Sequence, residues 1–239
     1  MRQLTEGSAG TIPPMPGIKL VVFDMAGTII EDRGDVVRAF ANALVENGVP
    51  FVEDELKKWK GASKREVIRH FVLQANAKTD VERKVETSYR SFRAELERCY
   101  SERLAPVGGA LETFRWCRER GILLATTTGF YREISDLILN QTGWQEYFAA
   151  NITSSDVREG RPAPYMIFRA MEATGVKSVR QAINVGDTPL DLQSGSNAGV
   201  AGVVGVLTGS HGRESLGREP HTHIIKSVAE LPELIAREF

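Results

Sequence analysis

Residues 18–24, IKLVVFD, form an apolar run that ends in a single carboxylate, Asp24. A short, continuous apolar run rich in β-branched residues is typical of a strand buried on both faces of a sheet. Three similar runs follow: GILLATT at 121–127, AINVGD at 182–187 and GVVGVLTG at 202–209. Helical patterns accompany these runs, so the sequence predicts an α/β fold with a doubly wound parallel sheet.

Three helical patterns between these runs each reach a glycine, the residue that most often ends a helix in the left-handed conformation. The patterns are GALETFRWCRER at 109–120, YREISDLILNQTG at 131–143 and APYMIFRAMEATG at 163–175, with glycines at 121, 143 and 175. Since parallel strands need crossover connections, we expect these helices to join one strand to the next.

The connection between the first two strand-like runs is unusually long. Residues 32–104 show one helical pattern after another and no strand signal, and a bare loop of that length would be anomalous in a compact domain. We therefore expect a helical cap domain at 32–104, inserted into an α/β core formed by 17–31 and 105–239. Such a cap would cover the carboxyl edge of the sheet, where open α/β folds bind ligands.

The composition is that of a globular protein with balanced charge. The 239 residues include 30 Lys plus Arg and 31 Asp plus Glu, a formal net charge of −1, so no global field favours nucleic acid or an anionic membrane. No apolar run approaches the roughly 18 residues of a membrane span, and the N-terminus lacks the apolar core of a signal peptide. We expect a soluble cytoplasmic protein with a flexible N-terminal tail at 1–16.

Chemically useful side chains fall at or just after the carboxyl ends of the predicted strands. They are Asp24, Thr128 and Gly129, Arg161 in the loop REGRPAP, and Asp187 with Asp191 in GDTPLD. A doubly wound sheet brings these ends to one crevice. Three carboxylates so close would repel one another unless a hard cation lay among them, and Mg2+ is the natural one. Asp24 is then free to act as a nucleophile.

The remaining groups suit phosphoryl transfer, which requires positioning and charge neutralisation. Arg161 offers a planar fork of donors to a phosphoryl oxygen and would hold Asp24 ionised. The other oxygens can be bound by a hydroxyl and by the main chain of small residues; the candidates are Thr128, Ala26, Gly27, Thr28 and Gly129. Of the three threonines at 126–128, the last is preferred because a glycine follows it.

Four motifs in this order resemble those of the haloacid dehalogenase superfamily of phosphohydrolases: DMAGT at 24–28, TTTG at 126–129, GRPAP at 160–164 and GDTPLD at 186–191. The resemblance runs from about residue 18 to 235 and includes the position of the cap. It implies an aspartyl-phosphate on Asp24 and a Mg2+ site that includes Asp24, Asp187, Asp191 and the main-chain carbonyl of Ala26. Asp191 would bind the metal directly or through water.

Two departures make the chain resemble the phosphonatase-like group of this superfamily: Ala26 replaces the usual second aspartate, and Arg161 replaces the usual lysine. The usual aspartate protonates a departing alcohol, which alanine cannot do. The phosphonatase-like group cleaves a C–P bond, and an iminium formed between a lysine and the neighbouring aldehyde takes up the electrons. The resemblance therefore implies that the cap supplies a lysine.

Lys64 is the candidate for that lysine, because KGASKREVIRHF at 60–71 resembles the cap segment in which it follows a glycine by three residues. Ser63 and Glu66 match a capping box, which would make Lys64 the first residue of a helix. The helix dipole and the adjacent Arg65 would then disfavour its ammonium form. The other lysines of the insertion are alternatives: Lys57, Lys58, Lys60, Lys78 and Lys84.

Three further differences leave the substrate open. Val67 stands where the phosphonatase-like group has a histidine, Phe130 stands where it has a tyrosine, and no cysteine occurs near 33–34. The preferred hypothesis is cleavage of phosphonoacetaldehyde or a similar small substrate. The alternatives are a phosphatase for a small organic phosphate ester, without an imine, and a non-catalytic phospho-receiver module. The resemblance also suggests a homodimer through the cap, and cap hinges are expected at 32–34 and 105–108.

Overall fold

The fold comes from a computed structural model, which describes residues 17–59, 62–75 and 80–239. The predicted tail at 1–16 lies outside the described residues. So do Lys60 and Lys78, two of the alternative lysines, and Gly61, the glycine that precedes Lys64 in the cap motif.

Six parallel strands form one sheet in the order β3-β2-β1-β4-β5-β6. The strands are β1 (Leu20–Phe23), β2 (Leu123–Thr128), β3 (Ala150–Thr153), β4 (Ala182–Gly186), β5 (Gly202–Val206) and β6 (His223–Ile225). The predicted doubly wound parallel sheet is confirmed, and the four predicted strands are its four central members.

The two strands that the sequence analysis missed, β3 and β6, are the two edges of the sheet. They are short, with four and three residues, and their sequences ANIT and HII include polar residues. An edge strand pairs on one side only and is covered less completely than a central one, so it needs no long apolar run. Periodicity therefore gave no signal for these two strands.

Helices flank the sheet on both faces. Those of the core are α5 (Ala110–Glu119), α6 (Arg132–Thr142), α7 (Tyr165–Thr174), α8 (Pro189–Ala198), α9 (Arg213–Leu216) and α10 (Leu231–Glu238). As predicted, α6 and α7 end at Gly143 and Gly175, which have φ of +67° and +73°. Short 3-10 turns occur at Gln145–Tyr147, Ser154–Asp156, Val179–Gln181 and Val228–Glu230.

Alternate residues of β1 pack on opposite faces of the sheet, as the geometry of a strand requires. Val21 and Phe23 join an apolar cluster with α5 and α6, whereas Leu20 and Val22 join a second cluster with α7 and α8. All four side chains are completely buried. The continuous apolar run that opens the sequence is thus explained by a strand covered on both faces.

Four helices lie between β1 and β2: α1 (Asp35–Glu46), α2 (Glu53–Lys58), α3 (Lys64–Gln74) and α4 (Val81–Arg103). Phe40 of α1 stacks on Phe92 of α4 with ring centroids 4.3 Å apart, and Tyr89 of α4 meets Tyr131 of the core at 6.0 Å. The helical insertion therefore packs on itself and on the core. The limits set for a cap domain, 32 and 104, stay a prediction.

None of the helices in the described part of the chain combines the length and apolar character that a membrane crossing requires.

Candidate active site

Asp24 and Asp187 lie side by side because the strands that carry them are neighbours. Asp24 directly follows β1, Asp187 directly follows β4, and β1 and β4 pair in parallel. The order of the strands reverses between these two, which is the point at which open α/β sheets form a ligand crevice. Both carboxylates are buried, at 6% and 1% exposure.

Arg161 connects two of the acidic side chains. It lies in the loop between β3 and α7, and its Nη1 is 2.7 Å from Asp24 Oδ1 and 2.9 Å from Asp191 Oδ1. Its Nη2 donates to the carbonyl oxygen of Thr127 at 2.8 Å and to the hydroxyl at 2.9 Å. Both terminal nitrogens therefore contact protein groups, and the direct phosphoryl contact expected of Arg161 stays a prediction.

The ionisation of Asp24 reflects a balance of opposing effects. Burial raises the pKa of Asp24 to about 6, the Arg161 guanidinium lowers it, and the neighbouring Asp191 carboxylate raises it. Arg161 thus opposes the effect of burial without cancelling it. At neutral pH a carboxyl group with this pKa is mostly ionised, as a nucleophile requires.

The acidic side chains fit a hard divalent cation. Asp24, Asp187 and Asp191 are all buried and each offers one oxygen within 4.8 Å of the others. Asp191 Oδ2 accepts from the amide and hydroxyl of Thr188 at the start of α8. Among the described residues, Asp191 Oδ1 accepts no aligned hydrogen bond and has only its ion pair with Arg161. An all-oxygen set with a spare carboxylate oxygen is the kind of site that Mg2+ or Ca2+ prefers.

Small residues shape the space around Asp187. A side chain at Gly27, where φ is +89°, would place its Cβ 2.5 Å from Asp187 Oδ2, and one at Gly209 would place it 1.8 Å from the same oxygen. The Thr28 hydroxyl is 3.4 Å from Asp187 Oδ1. Gly27 and Thr28, predicted as substrate contacts, therefore lie against this carboxylate.

The main-chain amide of Gly27 is not available for a phosphoryl oxygen in the way that the sequence suggested. It donates to the carbonyl oxygen of Ile30 at 2.6 Å, within the turn that follows Asp24. The motif alone could not predict this turn. Its residues are equally compatible with a conformation in which the main-chain amides point at a bound anion. Ala26 and Gly129 line a small cavity together with Asp24 and Asp187.

The three consecutive threonines have three different environments. Thr126 donates to Asn151 Oδ1 at 2.7 Å, and Thr127 accepts from Arg161. The Thr128 hydroxyl accepts from the Phe130 amide at 3.1 Å and lies on the cavity wall. Of the three threonines, Thr128 alone is among the residues that line this cavity, and its role in binding phosphate stays a prediction.

A small, partly open cavity of about 30 Å3 lies between the core and the insertion. It is lined by six residues chosen from the sequence: Asp24, Ala26, Lys64, Thr128, Gly129 and Asp187. It is also lined by four that were not chosen as site residues: Asp32, Val36, Phe130 and Thr188. A cavity of this size holds water rather than a phosphonate, so a substrate must enlarge it.

Lys64 brings an amine from the insertion to this cavity. It is the first residue of α3 and is 6% exposed, and its Nζ donates to the carbonyl oxygen of Ala62 at 3.2 Å. The same Nζ lies 5.1 Å from the centre of the Phe130 ring. Lys64 and Asp24 therefore line the same cavity, and the Schiff-base role of Lys64 stays a prediction.

Burial lowers the pKa of Lys64 to about 8, while the charge of Asp24 raises it and that of Arg161 lowers it. The cause differs from the one expected, because Arg65 turns away and pairs with Glu86 at 2.8 Å on the surface. An ammonium loses hydration when it is enclosed, so enclosure favours the neutral amine. The direction of the predicted shift is right, and its main cause is burial.

The predicted capping box at the start of α3 is wrong. Lys64 does begin the helix, but the Ser63 side chain accepts no hydrogen bond from its first turn. The Ser63 main-chain carbonyl accepts from the Val67 amide at 3.0 Å instead. Since Lys64, Val67 and Ile68 are buried, packing against neighbouring elements holds the start of the helix without a side-chain cap.

Arg161→Met should destabilise the protein strongly, because it removes the only cation that the described residues place against both Asp24 and Asp191. Breaking a buried pair on one side typically costs about 3–5 kcal/mol. The free energy of unfolding can be measured by urea denaturation. The control is Arg169→Met, since Arg169 is half exposed and pairs with Glu172; it should change stability by less than about 0.5 kcal/mol. Equal losses in the two variants would contradict this account.

Comparison with known protein families identifies the class. Residues 21–205 match the family model described as haloacid dehalogenase-like hydrolase. The chain belongs to this family of hydrolases, which agrees with the strand-end aspartate, the buried acidic cluster and the sheet order described above.

Two relatives with the same enzyme name are similar to most of this chain. Phosphonoacetaldehyde hydrolase from Lysinibacillus sphaericus (strain C3-41) is 33% identical over 208 residues, which cover 81% of this chain and 76% of the relative. The enzyme of that name from Bacillus cereus is 30% identical over 205 residues, covering 81% and 77%.

A solved structure shares the fold. The phosphonoacetaldehyde hydrolase like protein from Oleispira antarctica superposes with a TM-score of 0.81 at 23% identity, covering 93% of this chain and 92% of that one. At this identity the likeness supports the fold alone.

Proposed function

We propose that the protein is a Mg2+-dependent hydrolase that cleaves the C–P bond of phosphonoacetaldehyde or a similar small substrate. The observation that supports this most directly is the position of Lys64, a buried amine that borders the same cavity as Asp24. Ordinary phosphoryl transfer to an aspartate needs no amine there. The relatives named phosphonoacetaldehyde hydrolase support the same reaction class.

The alanine at position 26 is consistent with C–P cleavage. No carboxyl group stands there to protonate a departing alcohol, and the leaving atom in a phosphonate is carbon. Expelling a free carbanion is prohibitive, so the carbon needs an electron sink next to it. A lysine can supply one by forming an iminium with an adjacent aldehyde.

In the proposed reaction, the neutral amine of Lys64 attacks the aldehyde carbon, and loss of water gives an iminium. Asp24 then attacks phosphorus. The electrons of the C–P bond move into the iminium to give an enamine on Lys64, and an aspartyl-phosphate forms on Asp24. Protonation at carbon and hydrolysis of the imine release acetaldehyde, and water cleaves the aspartyl-phosphate to release phosphate.

Other residues position these groups. Arg161 holds Asp24 through an ion pair at 2.7 Å, and Thr128 offers a hydroxyl at the cavity wall. Asp24, Asp187 and Asp191 would hold Mg2+, with the carbonyl oxygen of Ala26 as the predicted main-chain ligand. When bound, the cation neutralises charge on the phosphoryl oxygens.

The rate of imine formation should rise with pH, because only the neutral amine of Lys64 can attack the aldehyde. With a pKa of about 8, the neutral amine is about one tenth of the population at pH 7 and about nine tenths at pH 9. The rate of covalent trapping by substrate plus borohydride should therefore rise about tenfold over this range. Mass spectrometry of the protein can follow the trapping. A rate that is flat or falls between pH 7 and 9 would contradict the assignment.

A phosphate-release screen tests the proposed function. Phosphonoacetaldehyde, p-nitrophenyl phosphate and several sugar phosphates should be compared with Mg2+ and with a chelator. We expect the phosphonate to give the largest kcat/KM and expect the chelator to abolish it. Phosphate esters that match or exceed the phosphonate would favour the second candidate, a phosphatase for a small organic phosphate ester.

A specific observation favours that second candidate. Val67 and Phe130, which replace a histidine and a tyrosine of the phosphonatase-like group, are buried and apolar, so their positions offer no polar group for an imine reaction. In this case water or a residue of the insertion replaces the missing acid. Arrest at a persistent aspartyl-phosphate would instead revive the phospho-receiver hypothesis.

Several expectations stay predictions. They concern the homodimer through the cap, the absence of a nucleic-acid partner, the location in the cytoplasm and the hinges at 32–34 and 105–108.

A further inference from the structure

Tyr100, in the last turn of α4, has a buried hydroxyl group that nothing in the described part of the chain hydrogen-bonds. The residue is 3% exposed. A buried hydroxyl without a partner costs free energy, and phenylalanine would fill the same space without that cost. An unpaired buried hydroxyl is therefore a candidate for a group that finds its partner in a ligand.

The position of the ring points to the catalytic cavity. Tyr100 packs edge-on against Phe130, with ring centroids 5.8 Å apart, and Phe130 is part of the cavity wall. The Lys64 amine lies over that same Phe130 ring at 5.1 Å. Tyr100 and Lys64, both in the insertion, thus share Phe130 of the core as a neighbour.

The charged neighbours of Tyr100 include carboxylates of the active site. Burial holds the pKa of Tyr100 well above its usual range, and the carboxylates of Asp32, Asp35 and Asp24 raise it further. Of these, Asp24 and Asp32 line the cavity. The hydroxyl therefore keeps its proton at neutral pH and can act only as a neutral donor or acceptor.

Residues of the core and of the insertion line the cavity together. The strand-end residues Asp24, Thr128 and Asp187 suit a phosphoryl group, and the amine of Lys64 would receive the aldehyde in the proposed reaction. Since Tyr100 packs on the same Phe130 ring as that amine, a donor there would meet an atom two bonds or more from phosphorus.

We propose that Tyr100 donates a hydrogen bond to an oxygen atom on the second carbon of the substrate, and so selects two-carbon phosphonates that carry an oxygen there. This inference rests on the proposed function, because it places the aldehyde at the Lys64 amine. The hydroxyl of Tyr100 contacts that oxygen once the ligand has enlarged the cavity. Tyr100 is thus a specificity-determining residue.

A stability comparison separates this role from a structural one. Tyr100→Phe removes a hydroxyl that has no protein partner, so its free energy of unfolding should equal or exceed that of the wild type. Ser88→Ala is a matched control, because the Ser88 hydroxyl is also buried and unpaired among the described residues and lies on the same helix. A clear loss of stability in Tyr100→Phe would show a protein partner for the hydroxyl and overturn the proposal.

The binding test uses two probes that differ by one oxygen, 2-hydroxyethylphosphonate and ethylphosphonate. Neither has a carbonyl group, so neither can form an imine. Calorimetry with Mg2+ should show about tenfold tighter binding of the hydroxyl compound to the wild type, as expected for one hydrogen bond from a buried hydroxyl group. Tyr100→Phe should abolish that preference and leave the affinity for ethylphosphonate unchanged. Ser88→Ala should behave like the wild type.

Three outcomes of the binding test would also overturn the proposal: equal affinity of the wild type for the two probes, binding of neither, or a preference that survives in Tyr100→Phe. Failure of the proposed function is seen separately, as absence of phosphate release from phosphonoacetaldehyde. A protein that releases no phosphate from it and still shows the Tyr100-dependent preference would keep the specificity role and lose the imine reaction.

Discussion

Asp24→Asn should lower the turnover of the best substrate at least about a thousandfold, because an amide cannot form the phosphorylated intermediate. Asparagine has the size of aspartate, so it keeps the packing after β1. It also keeps an oxygen that can accept from Arg161, which is 2.7 Å from Asp24 Oδ1. The loss should therefore appear in kcat, measured as phosphate release under saturating substrate, while the circular dichroism spectrum stays that of the wild type.

Asp80→Asn is the matched control for this variant. Asp80 lies just before α4, pairs with Arg83 on the surface and has φ of +68°, a conformation that asparagine also tolerates. Its activity should be that of the wild type. Undiminished turnover in Asp24→Asn would remove the central carboxylate from the mechanism.

Lys64→Arg should lower phosphonoacetaldehyde cleavage at least about a thousandfold, because a guanidinium keeps the positive charge but does not form an imine. The arginine side chain is larger than that of lysine, and the cavity at this position is only about 30 Å3. Binding should therefore be measured beside turnover. Covalent trapping by borohydride and substrate should be lost together with activity.

Two comparisons make the Lys64 result specific. Lys84→Arg changes another lysine of the insertion, in α4, and should leave both trapping and turnover unchanged. Hydrolysis of p-nitrophenyl phosphate needs no imine, so Lys64→Arg should affect it far less than phosphonate cleavage. If Lys64→Arg cleaved the phosphonate at the wild-type rate, the imine step would be excluded and the phosphatase reading preferred.

The central part of the fold could be predicted from the sequence because burial on both faces leaves a simple signal. β1 is completely buried, and each of its four residues, LVVF, is apolar. Glycines at 143 and 175 end α6 and α7 as expected, because a left-handed residue terminates a helix locally. The edge strands β3 and β6 left no such signal, since pairing with a neighbour determines them more than their own composition.

The core of the site was predictable for a related reason. Asp24 and Asp187 follow strands, and strands that are neighbours in a parallel sheet bring their carboxyl ends together. Lys64 was found only through resemblance to a known cap segment, because no local rule places a lysine of an inserted helix over a particular strand. The structure shows where Lys64 lies: its Nζ is over the ring of Phe130, which lines the same cavity as Asp24.

Contacts between distant segments explain what was missed. The partners of Arg161, including the carbonyl and hydroxyl of Thr127, depend on how the loop after β3 returns to β2. In the sequence, the position of Tyr100 predicts only another buried residue of a long helix. Its unpaired hydroxyl appears only when α4 is packed beside Phe130.

The two glycines around Asp187 have a consequence for laboratory evolution of this enzyme. A methyl group at Gly27 or Gly209 would fall 2.5 Å or 1.8 Å from the carboxylate, so mutational libraries should return almost no functional clones altered at either codon. Val36 and Phe130, which also line the cavity, already carry side chains, so the clash expected at the two glycines does not arise there. Attempts to change the substrate range should therefore begin from these two residues and leave both glycine codons fixed.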